Sequence, residues 1–252
     1  MKLAVFGHCA IDTINLNGTS YEQIGGSACY CGITARQFKF DVDLYTKFGP
    51  NFPKQYLTEN KINFINSESQ NNTTKFAISI TGAERTLKLE HECDPIEYAN
   101  VDADGHLVSP IYHEITSETL KEIKKDSNPE EAQRIVNGTH DEMMLALQKK
   151  GVEYVLLTDK TEVSLLVKDK VYSITLPNKL IHDTTGIGDI FCSTFCCTML
   201  KEKDFLWALC FAGGAAQAAL ESKNLGLQKI PKKGAIQNNA SYFYNLVKFR
   251  DL

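Results

Sequence analysis

Seven consecutive residues, Asp183-Thr184-Thr185-Gly186-Ile187-Gly188-Asp189, constrain this chain more than any other stretch. They stand directly before the apolar run that begins Ile190-Phe191-Cys192. Glycines just ahead of a helix let successive backbone N–H groups converge on one spot, where the helix dipole also favours negative charge. The segment therefore reads as an anion site of a size for a phosphoryl group. Asp189 closes the loop, and the same field favours its carboxylate form, able to accept a proton from a hydroxyl. Phosphoryl transfer is achieved mostly by positioning and charge stabilisation, so such a site needs no covalent nucleophile. Five specified positions, each of roughly 5–7% average usage, would arise by chance in roughly one chain in several thousand of this length. The plain alternative is that Asp189 only caps a helix and the glycines only make a tight turn.

The segments upstream follow a β-α-β rhythm. Residues 2–6 read as a short buried strand and 12–16 as a second extended piece. Gly25-Gly26 opens a helix over 27–38, with Ser27 as its N-cap. Residues 42–48 are a strand, 53–60 a helix and 61–65 another strand. Residues 74–81 and 85–90 alternate apolar with polar around Gly82-Ala83-Glu84, a hairpin pattern with one wet and one covered face. With 12–24 it forms a small sheet, a lid built from strands at about 11–24 and 73–91. Further on, 106–109 is a strand, and 117–125 and 129–136 are helices joined through Asp126-Ser127-Asn128. No strand fits that join, although a parallel sheet expects one, so it is either a local shortening or the place of a missing segment. Residues 139–149 are a helix, 154–158, 163–167 and 171–174 strands, and the chain from Gly188 onward is mainly helical. Against a usual domain size of about 100–200 residues, the length allows one large domain with an insertion or two small ones, and one α/β domain over 1–252 is expected.

Composition narrows the function classes. Lys and Arg number 27 against 31 Asp and Glu, a net charge of −4 without long blocks of one sign, which argues against a nucleic-acid partner. Near the N-terminus only Leu3-Ala4-Val5-Phe6 run together as apolar residues, too few for a signal-peptide core, so a cytoplasmic protein is expected. The apolar stretches 190–200 and 205–220 are split by Lys201-Glu202-Lys203-Asp204, and neither reaches the roughly 20 residues of a membrane span. The eight cysteines contain no Cys-x-x-Cys pair and read as reduced thiols rather than a zinc or redox site.

The Asp-Thr-x-Gly-x-Gly-Asp pattern before a long helix, with Gly25-Gly26-Ser27-Ala28 and Asp12 near the N-terminus, resembles the ribokinase-like (PfkB) family of ATP-dependent carbohydrate kinases over nearly the whole chain. The resemblance implies a three-layer α/β/α sandwich with a mostly parallel central sheet and a small β lid. Sugar would bind between lid and body, and ATP near the C-terminal helices. It makes Asp189 the catalytic base and Gly186, Ile187 and Gly188 the anion-hole donors, with Asp183 opening the motif on the ATP side. Asp12 would accept hydrogen bonds from substrate hydroxyls, and Gly25 and Gly26 would let the backbone approach the substrate. Asn128 and Glu131 look like the family's Asn-x-x-Glu segment, acting on Mg²⁺ through water, and equally like an N-cap with its capping box. ATP and Mg²⁺ are the implied cofactors, with a monovalent cation as a further one. A homodimer through the exposed lid edge is also open.

Departures from the family pattern sharpen the substrate. Tyr30 stands where many members carry Asn, which makes ribose a weaker candidate. Lys160 and Val163 occupy the two glycine positions of the nucleotide-side turn, whose Thr158 remains a candidate phosphate ligand; Lys160 reads as a phosphate contact or as a solvated turn residue. Thr73-Thr74-Lys75-Phe76, Arg85 and Glu92-Cys93-Asp94-Pro95-Ile96 are similar to the branch that includes myo-inositol kinases. Arg85 reads either as an oxyanion contact from the lid or as an edge charge. Gly214, in the small-residue helix, and Asn239 are candidates on the adenine side. The expected function is thus an ATP-dependent sugar or polyol kinase. The alternatives are a nucleoside kinase of the same family and a degenerate fold that binds sugar without turnover. A dinucleotide-dependent oxidoreductase would need Gly-x-Gly-x-x-Gly after the first strand, where the chain has Gly7-His8-Cys9-Ala10.

Overall fold

The computed structural model describes residues 1–16, 18–81, 84–99, 101–126, 139–159, 162–177 and 183–252. The elements in chain order are β1 (Lys2–Phe6), β2 (Ala10–Leu16), β3 (Thr19–Gly25), α1 (Ser27–Gln37), β4 (Asp41–Tyr45), α2 (Gln55–Glu59), β5 (Asn63–Ile65), β6 (Thr74–Thr81) and β7 (Glu84–His91). Then follow β8 (Gly105–Val108), α3 (Ser117–Asp126), α4 (His140–Gln148), β9 (Tyr154–Asp159), β10 (Glu162–Val167), β11 (Lys170–Thr175), α5 (Ile187–Glu202), α6 (Phe205–Leu220), a 3₁₀ turn (Gly226–Lys229), α7 (Lys233–Tyr244) and β12 (Lys248–Asp251).

β1 alternates strictly between two cores, as a strand covered on both faces must. Leu3 and Val5 join the cluster formed with α1, α5, α6 and α7, while Ala4 and Phe6 join Tyr45, Ile96 and Ile123 of α3. β10 does the same, with Leu165 facing Phe191 and Phe195 of α5, and Leu166 facing Met144 and Leu147 of α4. Helices therefore cover both faces of the strands, giving the expected α/β/α layering. α5 is mostly buried and contributes side chains to the cores of both sheets.

The central layer is less uniformly parallel than expected. One sheet, β5-β4-β1-β8, is wholly parallel, and a second, β12-β11-β10-β9, is wholly antiparallel. Among the described residues no ladder joins them. The expected helix over 129–136 lies outside the described residues. The strand expected to reach residue 48 stops at Tyr45, where Thr46 Oγ1 instead accepts the Cys9 N–H at 2.9 Å. β12 interrupts the expected helical C-terminus: its four residues are all exposed and carry no inside-outside pattern, so only its pairing with β11 makes it a strand.

The third sheet, β3-β2-β6-β7, is the lid. Ile14, Phe76 and Ile78 form its own small core. His8 fastens its base, because Thr74 Oγ1 donates to His8 Nδ1 at 2.8 Å and His8 Nε2 donates to Asp94 O at 2.9 Å. The chain leaves the body beside His8, enters β6 at Thr74 and returns at Asp94, so one imidazole ties three crossings. Asp94 O can only accept, so Nε2 carries the proton of the neutral ring. Burial, the main cause, lowers the His8 pKa below 6.5, outweighing the neighbouring Glu114 carboxylate. With the folded value depressed, this contribution to stability is complete above the unfolded value of about 6.5 and is lost as pH falls through the folded one. Thermal melts across that range should show the decline in the parent protein and a weaker one in His8→Gln; equal slopes would remove His8 as the cause.

Candidate active site

Between lid and body lies a cleft of about 270 Å³. Phe76 and Ile78 of β6 and Leu87 of β7 form its lid side; Asp12, Gly26, Tyr30, Gly186 and Asp189 form its polar side. Two turns deliver those residues. Gly26 is the N-cap of α1 at φ 87°, and a Cβ there would lie 2.3 Å from His8 O. Ser27, expected at that N-cap, is instead the first helical residue, and its hydroxyl donates to Ser109 O. Gly186 is the N-cap of α5 at φ 74°, and a Cβ there would meet the Tyr30 ring at 2.4 Å. Only glycine takes this backbone conformation routinely and also leaves room for the ring.

Asp12 stands on β2, 3% exposed, opposite Gln23 of β3 and Phe76 of β6. A Cβ on Gly25 would lie 2.1 Å from its Oδ2, so Gly25 makes space for the carboxylate. Tyr30 is buried, and its hydroxyl has no hydrogen-bond partner among the described residues. Burial, reinforced by Asp183, Asp12 and Asp189, pushes the phenol pKa up, so it stays protonated and can donate. Asp189 occupies the third position of α5, where Ser109 Oγ donates to its Oδ1 at 3.0 Å. Ser109 follows β8 directly and had no signal in the sequence, since 80 residues separate it from Asp189.

Of the three expected anion-hole donors, Ile187 differs: its N–H already donates to Thr184 O at 3.3 Å. The next amides, Gly188 and Asp189, belong to the first turn of α5, where no intrahelical acceptor exists. A Cβ at Gly188 would meet nothing within 4 Å, so the space beside that residue is open. Asp183 does not line the cleft. Its Oδ1 accepts from Thr185 N at 2.8 Å, and its Oδ2 from Gly226 N at 3.1 Å and Lys229 Nζ at 2.9 Å. Lys229 went unrecognised in the sequence, where its only mark is a charge between Leu227 and Ile230. Burial would raise the Asp183 pKa, but the Lys229 ammonium and the two N–H groups outweigh it and hold the carboxyl below its usual range.

The expected nucleotide-side residues that are described, Thr158, Gly214 and Asn239, do not line the cleft. Thr158 is exposed on β9 opposite Val163, and Val163 is a core residue packed with Leu165 and Ile174. Gly214 is explained by helix packing, since a Cβ would lie 2.9 Å from both Ala240 N and Ile236 O on α7. Asn239 Nδ2 donates to Gly214 O at 3.5 Å, within the same contact. Lys160, Asn128 and Glu131 lie outside the described residues, and of Arg85 only the backbone, paired with Ile80 on the lid, is described. Among the described residues no cluster of His, Cys, Asp or Glu could hold a metal ion. No helix among them is long and apolar enough to cross a membrane.

No protein-family model matches the chain, and no curated protein matches it in sequence. Solved structures do. The chain is similar to the ribokinase of Arabidopsis thaliana complexed with ribose and ATP, at 14% identity and TM-score 0.73, over 95% of this chain and 98% of that one. It is similar to a pyrophosphate-dependent myo-inositol-1 kinase converted into a myo-inositol-3 kinase, at 15% identity and TM-score 0.75, over 96% and 99%. It is also similar to the nucleoside kinase of Methanocaldococcus jannaschii, an archaeal member of the ribokinase family, at 16% identity and TM-score 0.69, over 96% and 99%. At such identities the likeness concerns the fold, and the fold is ribokinase-like.

Proposed function

We propose that this chain is an ATP-dependent kinase that phosphorylates a hydroxyl of a small sugar or polyol, with myo-inositol as the leading acceptor. The observation that carries the reading is Asp189 in the first turn of α5, bordering the same cleft as Asp12 and the Tyr30 hydroxyl, which has no hydrogen-bond partner among the described residues. Carboxylates accept and a phenol donates, so these groups suit a neutral polyhydroxyl ligand. The cleft of about 270 Å³ is of a size for a small polyhydroxyl ligand.

In the proposed reaction Asp12 and Tyr30 orient the acceptor. Asp189 takes the proton of the attacking hydroxyl, while Ser109 holds its Oδ1 in place. The first-turn amides of α5 offset the negative charge that gathers on the transferred group. Phe76, Ile78 and Leu87 exclude water from above, which limits hydrolysis of the donor. ATP with Mg²⁺ supplies the phosphoryl group; Gly186 and Gly188 would flank it, and the proposed magnesium residues Asn128 and Glu131 lie outside the described structure. Arg85 on the lid is a further candidate contact to acceptor or phosphate. A second reading, pyrophosphate as donor, is favoured by the packing at Gly214 and Val163, which are occupied by protein contacts rather than open to a base.

Both readings are tested by mass spectrometry of products formed from myo-inositol, ribose, fructose, cytidine and adenosine with Mg-ATP or Mg-pyrophosphate. A phosphorylated polyol or sugar is expected and the effective donor decides between the readings. A phosphorylated nucleoside alone would move the acceptor class. No product from any mixture, with a thermal shift from a polyol, would establish a binding protein without turnover.

A further inference from the structure

The turn that starts the anion loop is anchored on a buried ammonium. Lys229 ends the 3₁₀ turn after α6 and is 2% exposed. Its Nζ lies 2.9 Å from Asp183 Oδ2 and donates to Asp183 O at 2.9 Å. Gly226, on the same turn, donates its N–H to Asp183 Oδ2, while Thr185 N donates to Asp183 Oδ1. The next residue, Gly186, is the N-cap of α5 and packs on the Tyr30 ring, whose centroid is 5.9 Å from Lys229 Nζ. A contiguous set of contacts thus runs from Lys229 through Asp183 and the loop to the cleft. Removing an ammonium from water is costly, and apolar residues of similar volume often serve stability as well or better. Stability is therefore a poor reason for this charge, and its place beneath an anion loop is a better one.

We propose that Lys229 is a positioning residue for phosphoryl transfer: its ammonium fixes the 183–186 turn, and so the direction of the first amides of α5, as a built-in monovalent cation. The proposal rests on the kinase reading for its catalytic half only. A free K⁺ or NH₄⁺ binding the Asp183 oxygens would have to displace Lys229, which already holds Oδ2 and the main-chain O. The parent protein should consequently work equally well with or without added potassium.

The test compares the parent protein with Lys229→Ala in potassium, ammonium or choline chloride at equal ionic strength. Two readouts are taken: kcat and acceptor KM with the effective acceptor, and binding of inorganic phosphate by thermal shift. Expected is a kcat loss of roughly 10- to 100-fold in choline, the scale set by a small displacement of positioned groups, with acceptor KM little changed. Phosphate binding should weaken in parallel, and ammonium or potassium should restore part of both. Activation of the parent protein by potassium would overturn the built-in cation. A folded Lys229→Ala with parent kcat and phosphate affinity would overturn the positioning role. Should Lys229→Ala fail to fold, the double variant Lys229→Met with Asp183→Asn removes both charges; retained phosphate affinity there would overturn the proposal, and loss of it would support it. If the parent protein phosphorylates nothing, the kinase reading fails alone, and the phosphate-binding arm still decides for or against Lys229.

Discussion

Asp189→Asn lowers kcat by about 10²–10⁴-fold, the contribution of a positioned general base, while acceptor binding stays within a few-fold of the parent. The substitution keeps the shape of the side chain and an oxygen to accept the Ser109 hydroxyl, so the cleft wall is preserved. What it removes is the ability to take a proton, together with a negative charge at the start of α5 worth about 0.3–1 kcal/mol with the helix dipole. That stability loss is too small to unfold a domain, so lost turnover would report on chemistry. The measurement is kcat with the best acceptor of the panel, beside the thermal shift that acceptor gives to each protein. Retention of more than a tenth of the parent turnover would show that Asp189 is not the base.

Asp183→Ala has the largest effect on stability. It leaves the Lys229 ammonium at 2% exposure without its carboxylate counter-charge, and breaking one half of a buried pair costs about 3–5 kcal/mol. At roughly 2–4 °C per kcal/mol for a chain of this size class, the melting temperature should fall by roughly 6–20 °C. The effect also has a pH signature. The Asp183 carboxyl is held below its usual range in the folded protein, so its contribution is complete above the unfolded value of about 3.9 and is lost as pH falls through the folded one. The difference in melting temperature between parent and Asp183→Ala should therefore be flat from neutral pH down to about 4 and shrink below it. An equal melting temperature at pH 7 would mean that Lys229 finds another partner or gives up its proton.

The two predictions differ in how much of their basis could be read along the chain. Asp189 was legible because loop, glycines and helix are contiguous, so the chemistry of the site is a local pattern. The partners of Asp183 were not, since Gly226 and Lys229 lie 43 and 46 residues away. The same holds for Ser109 on Asp189, and for Val163, whose β-branched side chain in place of an expected turn glycine belongs to a core that sequence spacing does not show.

By itself the sequence determined the alternation of strands and helices, the lid hairpin, and the residue types that meet at the cleft. These depend on period and on turn chemistry, which act over a few residues. Only the tertiary structure decided that the central layer is half parallel and half antiparallel, that β12 exists, and that Gly214 serves helix packing. It alone decided that Asp183 answers to a buried lysine rather than to the cleft. Strand partners, close helix contacts and buried ion pairs are settled by which distant segments exclude water together, and that depends on the folded chain as a whole.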